Sequence, residues 1–242
     1  MSNPNACIIS FFMDNLNPKT VEYQKRVVEK YNVSKYPHYI IRTNISHPLS
    51  IDYFWTMNGI PVNTMKGNNI EKKVDHDIIM CLDIDCVPLS ETAIDLYIEK
   101  AANGKLVGNA QRTNHLDNNQ HVFAAPSALA ISADSFITIG SPSAIETGRG
   151  DVAEEYTFAA EKSGIVPVEL FMPLKFDAVP LRQVWETDQR PFWPLADGMP
   201  NYGIGTTYGD EEHGELFYHN FQIRYQEHEK RFWDKCESIL VN

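Results

Sequence analysis

The sequence predicts an α/β domain with a mostly parallel central sheet flanked by helices. Three observations carry this expectation. Short apolar runs alternate with amphipathic stretches up to about residue 110, as βαβ units require. The spacings between them are short, which favours parallel strands covered by helices. The run Asp77-Ile78-Ile79-Met80-Cys81-Leu82 is apolar on both faces beyond its first residue, as a buried central strand is.

Each element follows from local chemistry. Ala6 to Met13 reads as a buried strand. Pro18 to Tyr31 reads as a helix, with Asn17 as cap and Pro18 at its first position. Val21, Val27, Val28 and Tyr31 supply its apolar stripe. Tyr39 to Thr43 is a second strand, and Pro48 to Met57 a second helix or helical turn. Asn58 to Lys73 holds Gly59, Pro61 and Gly67 and reads as loop. The strand ending at Leu82 stops before Pro88, and a helix from Ser90 to Ala102 is expected, capped by Ser90. Leu106 to Ala110 and Val122 to Ile131 read as strands, and Ala133 to Gly140 as a short helix. Asp151 to Lys162 reads as a helix closed by Ser163-Gly164. Val166 to Phe171 returns as a strand, residues 172–210 as an aromatic-rich excursion, and Glu227 to Leu240 as a terminal helix.

Composition narrows the partners. The 242 residues are enough for one domain with a sizeable core. The formal net charge of −11 makes a nucleic-acid backbone a poor partner. Cys7, Cys81, Cys86 and Cys236 show no CxxC spacing, so buried free thiols in a reducing, cytoplasmic compartment are expected. No signal peptide is evident, and no run is long enough for a membrane span. The sequence leaves the oligomeric state open.

The chemistry concentrates at Asp83-Ile84-Asp85. Side chains alternate along an extended chain, so the two carboxylates share a face. Their repulsion calls for a divalent cation, and oxygen ligands suit Mg²⁺ or Mn²⁺. His219 follows the apolar triplet Leu216-Phe217-Tyr218 at a strand end and is the first choice for an imidazole ligand, with His213 as its rival. Asp151, Glu154 and Glu155 gather three carboxylates at a helix start, where one could act as a base or the set could serve the helix dipole.

These motifs resemble a nucleotide-sugar glycosyltransferase of the GT-A type. Asp83-Ile84-Asp85 matches the DxD motif of that family, His121 to Ser132 resembles its acceptor-side strand and turn, and Leu216 to Asn220 its late metal-binding strand. The resemblance implies a single Rossmann-like GT-A domain over residues 1–242. Residues 1–110 would bind the nucleotide sugar, and residues 111–242 would form the acceptor side with the C-terminal helix. It implies Mn²⁺ or Mg²⁺ as cofactor and a nucleoside-diphosphate sugar, a UDP-sugar first, as donor to a carbohydrate or other hydroxyl. Asp85 and His219 would bind the metal. Asp83 would reach the ribose or donor sugar, and the ion through water. Phe11, Asp14 and Arg42, with Lys66 on the phosphates, would contact the nucleotide. Trp185 and Trp193 could form an acceptor platform or pack in the core. The base stays open among Asp151, Glu154 and Glu155, with Asp151 first, because the acidic pair of the family is adjacent here only as Glu154-Glu155.

Two other readings compete. Asp83-Ile84-Asp85-Cys86-Val87 also resembles the nucleophile motif of haloacid-dehalogenase-type phosphohydrolases, although that motif closes the first strand of its core. A non-catalytic nucleotide-sugar-binding protein is the third.

Overall fold

A computed structural model describes residues 3–65, 71–113, 120–178, 195, 204–221, 223 and 226–241. Lys66, Trp185 and Trp193 lie outside the described residues. The elements are β1 (Ala6–Met13), α1 (Pro18–Tyr31), β2 (His38–Thr43), α2 (His47–Met57), β3 (Ile78–Leu82), β4 (Cys86–Pro88), α3 (Ala93–Ala102), β5 (Leu106–Arg112), β6 (Val122–Ser132), α4 (Ala133–Thr138), α5 (Glu154–Ser163), β7 (Val168–Ala178), β8 (Ile204–Asp210), β9 (Gly214–His219) and α6 (Gln226–Val241). The first helix forms as its sequence dictates: Asn17 accepts a hydrogen bond from the Lys19 N–H at 3.0 Å, and Pro18 opens the helix.

Among the described residues, nine strands form one sheet in the order β2-β1-β3-β6-β5-β7-β8-β9-β4. This corrects the expectation of a mostly parallel, Rossmann-like GT-A sheet. Only β1–β2, β1–β3 and β5–β7 are parallel, and the other five pairings are antiparallel. The cause is three reversed strands. β6 enters between β3 and β5, β8 between β7 and β9, and β4 pairs only with β9. Just nine residues, 113–121, link β5 to β6, too few for a helical crossover.

The sheet is also strongly curled. β3 and β4 stand third and ninth in the order, six strand spacings or about 29 Å apart in a flat sheet. Only Asp83-Ile84-Asp85 joins them, a link that spans at most about 14 Å. The far edge therefore curls back toward β3. The helix after the Asp83-Ile84-Asp85 turn also starts later than expected: α3 begins at Ala93 behind Thr92, and Ser90 provides no side-chain cap.

Helices cover both faces. Ile9, Phe11, Ile79, Cys81 and Leu129 face α2, α4 and α5, where Trp55 stacks on Phe136 at 4.1 Å. Ile8, Met80 and Leu82 face α3, where Tyr97 stacks on Phe171 at 5.0 Å and meets the edge of Phe217 at 4.8 Å. Val27 of α1 packs with Phe232 and Cys236 of α6 against Val87 and Tyr218. Each such fully buried side chain contributes roughly 1.5–3 kcal/mol. All four cysteines are buried and free. Among the described residues, no helix is long and apolar enough to cross a membrane.

Candidate metal centre

β1, β2, β3, β5, β7 and β9 all point the same way, so their C-terminal ends share one edge of the sheet. The Asp83-Ile84-Asp85 turn lies there. Its backbone is pinned from three sides. The Cys86 N–H donates to the Asp83 carbonyl at 2.8 Å and closes the turn, and the Asp83 N–H donates to the Ser127 carbonyl of β6 at 3.1 Å. The Asn220 N–H, just past β9, donates to the Asp85 carbonyl at 2.9 Å. From α1, Gln24 Nε2 donates to the carbonyls of Asp83 at 2.7 Å and Cys86 at 3.2 Å. Behind Ser127, Tyr97 donates to Asn109, and Asn109 to Ser127 Oγ, at 2.8 and 3.2 Å. That chain crosses the β5–β6 bulge, where a Cβ on Gly108 would meet Ala124 Cβ at 2.7 Å, so the close approach requires glycine.

The curl sets His219 opposite Cys86 in the β4–β9 ladder. Asp83, Asp85 and His219 each present one ligand atom, and these atoms all lie within 4.8 Å of one another. His219 Nε2 is 3.3 Å from Asp85 Oδ1 and 3.8 Å from Asp83 Oδ2. Asp85 and His219 are buried, and Asp83 is partly open. Two carboxylates and one imidazole form a donor set that suits Mn²⁺, and Mg²⁺ with added water. The cluster could therefore coordinate a divalent metal, which gives the protein enzymatic potential.

The electrostatics agree. Burial pushes the Asp83 carboxyl above the usual carboxylate range and the Asp85 charge adds to this, while His47 and His219 oppose it. Burial alone would lower His219. The charge and hydrogen bond of Asp85, with the Asp83 charge, outweigh it, so the net shift is upward.

Other expected site residues fall into separate groups. Asp14 and Arg42 meet as a two-point ion pair at the ends of β1 and β2, with Arg42 Nη2 at 2.7 Å from Asp14 Oδ2. Phe11 is buried, and its ring meets the His47 ring edge-on at 5.9 Å. The carboxylates at 151–155 are not part of the cluster. Asp151 precedes α5 in a turn, where Ala153 adopts a left-handed conformation at φ 63°. The fully buried Glu154 accepts from Thr113 Oγ1, from the Asp151 N–H at 2.6 Å and from His121 Nδ1 at 2.7 Å. Arg149 grips Glu155 at two points and holds its carboxyl below the usual range. His213 sits at the opposite end of β9 from His219, bound by Asp210 in the β8–β9 turn.

Sequence reasoning missed His47 and Gln24. His47 Nε2 lies 3.4 Å from Asp83 Oδ1. One signal was present: a parallel β2 must deliver the start of the following helix to the same edge as Asp83. Gln24 gave none, because its partners are backbone carbonyls distant in sequence.

The fold and site define a mixed α/β domain with a carboxylate–histidine cluster at a sheet edge. The chain matches no family model and no curated protein sequence. Among solved structures, A197 from STIV is similar at 11% identity, over 64% of this chain and 78% of its own, with a TM-score of 0.38. An active-site mutant of LgtC is similar at 12% identity, over 96% of this chain and 95% of its own, with a TM-score of 0.41. At these values neither likeness assigns a family or an activity.

Proposed function

We propose that the protein is a metal-dependent glycosyltransferase, moving a sugar from a nucleoside-diphosphate sugar, a UDP-sugar first, to an acceptor hydroxyl. The observation that carries this reading is the meeting of Asp83, Asp85 and His219 at the C-terminal sheet edge. At that edge the C-terminal ends of β1, β2, β3, β5, β7 and β9 come together, so the turns that follow them can converge on one ligand. The DxD resemblance points to the same residues. Asp83, Asp85 and His219 would hold the cation, and Asp83 would also reach the ribose or donor sugar. The bound cation would act as a Lewis acid that stabilises charge on the departing diphosphate. An acidic chain binds an anionic donor more readily through such an ion.

Phe11, Asp14 and Arg42 would line the nucleotide side. Asp151 is the first choice for the base. It would take the acceptor hydroxyl proton as the oxygen bonds to the anomeric carbon and the bond from that carbon to the diphosphate breaks. Glu154, fully buried, and Glu155, held by Arg149, are better suited to fixing the start of α5.

A panel of nucleotide sugars with Mn²⁺ tests the reading, scored by slow donor hydrolysis and by protection against heat. One donor should be hydrolysed in Mn²⁺ and spared in chelator. Binding with no turnover on any acceptor would favour the non-catalytic binding protein. No binding by any nucleotide sugar would sink the proposal.

A further inference from the structure

We propose that His47 is a positioning residue that acts through Asp83, an inference that rests on the metal reading above. Asp83 has one imidazole beside each carboxylate oxygen: His47 Nε2 lies 3.4 Å from Oδ1, and His219 Nε2 lies 3.8 Å from Oδ2. The two rings are not equivalent. The His219 side chain is 6% exposed and also reaches Asp85 Oδ1, whereas that of His47 is 34% exposed and stands outside the cluster of ligand atoms. His219 thus belongs to the centre, and His47 to its rim.

His47 is rigidly mounted. It is the first residue of α2, directly before Pro48, and its ring edge rests on Phe11. The helix is itself anchored. The fully buried Asp52 accepts from Ser143 Oγ at 2.6 Å, from Thr64 Oγ1 at 2.6 Å and from the Ala144 N–H at 2.8 Å. An imidazole at ion-pair distance from one carboxylate oxygen favours that rotamer and leaves the other oxygen for the ion. With His47 on Oδ1, Asp83 offers the cation Oδ2 alone.

The test is a Mn²⁺ titration followed by electron paramagnetic resonance, with Mn²⁺ as the only ligand. It compares wild type, His47→Ala, His47→Gln, Asp83→Asn and the double variant His47→Ala/Asp83→Asn. His47→Ala should weaken Mn²⁺ binding about tenfold with unchanged thermal unfolding. His47→Gln, which keeps an N–H donor, should recover most of the loss. In the Asp83→Asn background, His47→Ala should cost nothing further, because its route is gone. Wild-type affinity in His47→Ala, or the full loss persisting in the Asp83→Asn background, overturns the assignment while the metal centre stands. A wild type that binds no Mn²⁺ overturns the metal reading and this inference with it.

Discussion

Asp85 and His219 are buried polar side chains that face each other at 3.3 Å, an arrangement stable only while opposite charges balance. A divalent cation held between them would supply that balance. Asp85→Asn keeps the size of the side chain but removes the charge that holds the ion. Turnover in the proposed reaction should fall a hundredfold or more, about 3 kcal/mol in transition-state terms, with the melting temperature little changed. Normal turnover of this variant at low Mn²⁺ would remove Asp85 from the site. His219→Ala removes a nitrogen donor and should lower Mn²⁺ affinity, whereas His213→Ala should leave it unchanged, since Asp210 holds that ring at the other end of β9. Calorimetry on the two variants separates them. A Mn²⁺-bound crystal structure gives the direct check, with an expected Mn–N distance of about 2.0–2.3 Å. Asp83 and His219 were legible in the sequence because each ends an apolar run, where a buried β-chain meets solvent, and Asp85 because it stands two residues past Asp83 on the same face. His47 follows no such run; its one signal was that a parallel β2 brings the start of the next helix to the same edge.

At the scale of elements, the β3–β4 turn depends on α1. Gln24 satisfies two carbonyls of that turn from a buried position. Gln24→Ala leaves both without this donor and should cost roughly 1–3 kcal/mol in denaturant unfolding. Mn²⁺ affinity should drop with it, because the turn carries both aspartates. Unchanged stability and unchanged affinity together would show that the turn holds itself. At the start of α5, Ala153 bears a left-handed strain of about 1 kcal/mol that glycine lacks. Ala153→Gly should therefore be neutral or stabilise by up to about 1 kcal/mol in the same assay, where most buried alanine-to-glycine changes destabilise. The expected helix from Asp151 starts instead at Glu154 for this reason. A left-handed residue interrupts it, and a sequence with alanine at that position gives no warning.

Over the whole molecule, the long-range pairing of strands decides both the fold and its response to pH. His38 opens β2, with Nε2 against Ser10 Oγ at 3.0 Å and Nδ1 buried without a partner among the described residues. Burial, with a smaller contribution from Lys25, lowers its pKa to about 4. The folded protein therefore refuses a proton that the unfolded chain accepts near 6.5. The stability this neutral ring lends is complete above that value and is lost as pH falls toward 4. Between pH 7 and pH 5 the wild type should lose roughly 1–2 kcal/mol more than His38→Gln, read from urea midpoints. Equal losses would mean that the ring takes its proton in place. The sequence by itself determined where most strands and helices lie, and that Asp83, Asp85 and His219 stand at strand ends, because periodicity, caps and apolar runs are local. It did not determine strand direction. An apolar run such as Val122 to Ile131 pairs equally well either way, and only the short return from β5 and the place open between β3 and β5 made β6 antiparallel. Tertiary structure alone decided the curl that sets β9 beside β4, and with it the meeting of His219 and Asp85, because residues 134 positions apart (219 − 85) share no local signal and are joined only by closing the sheet.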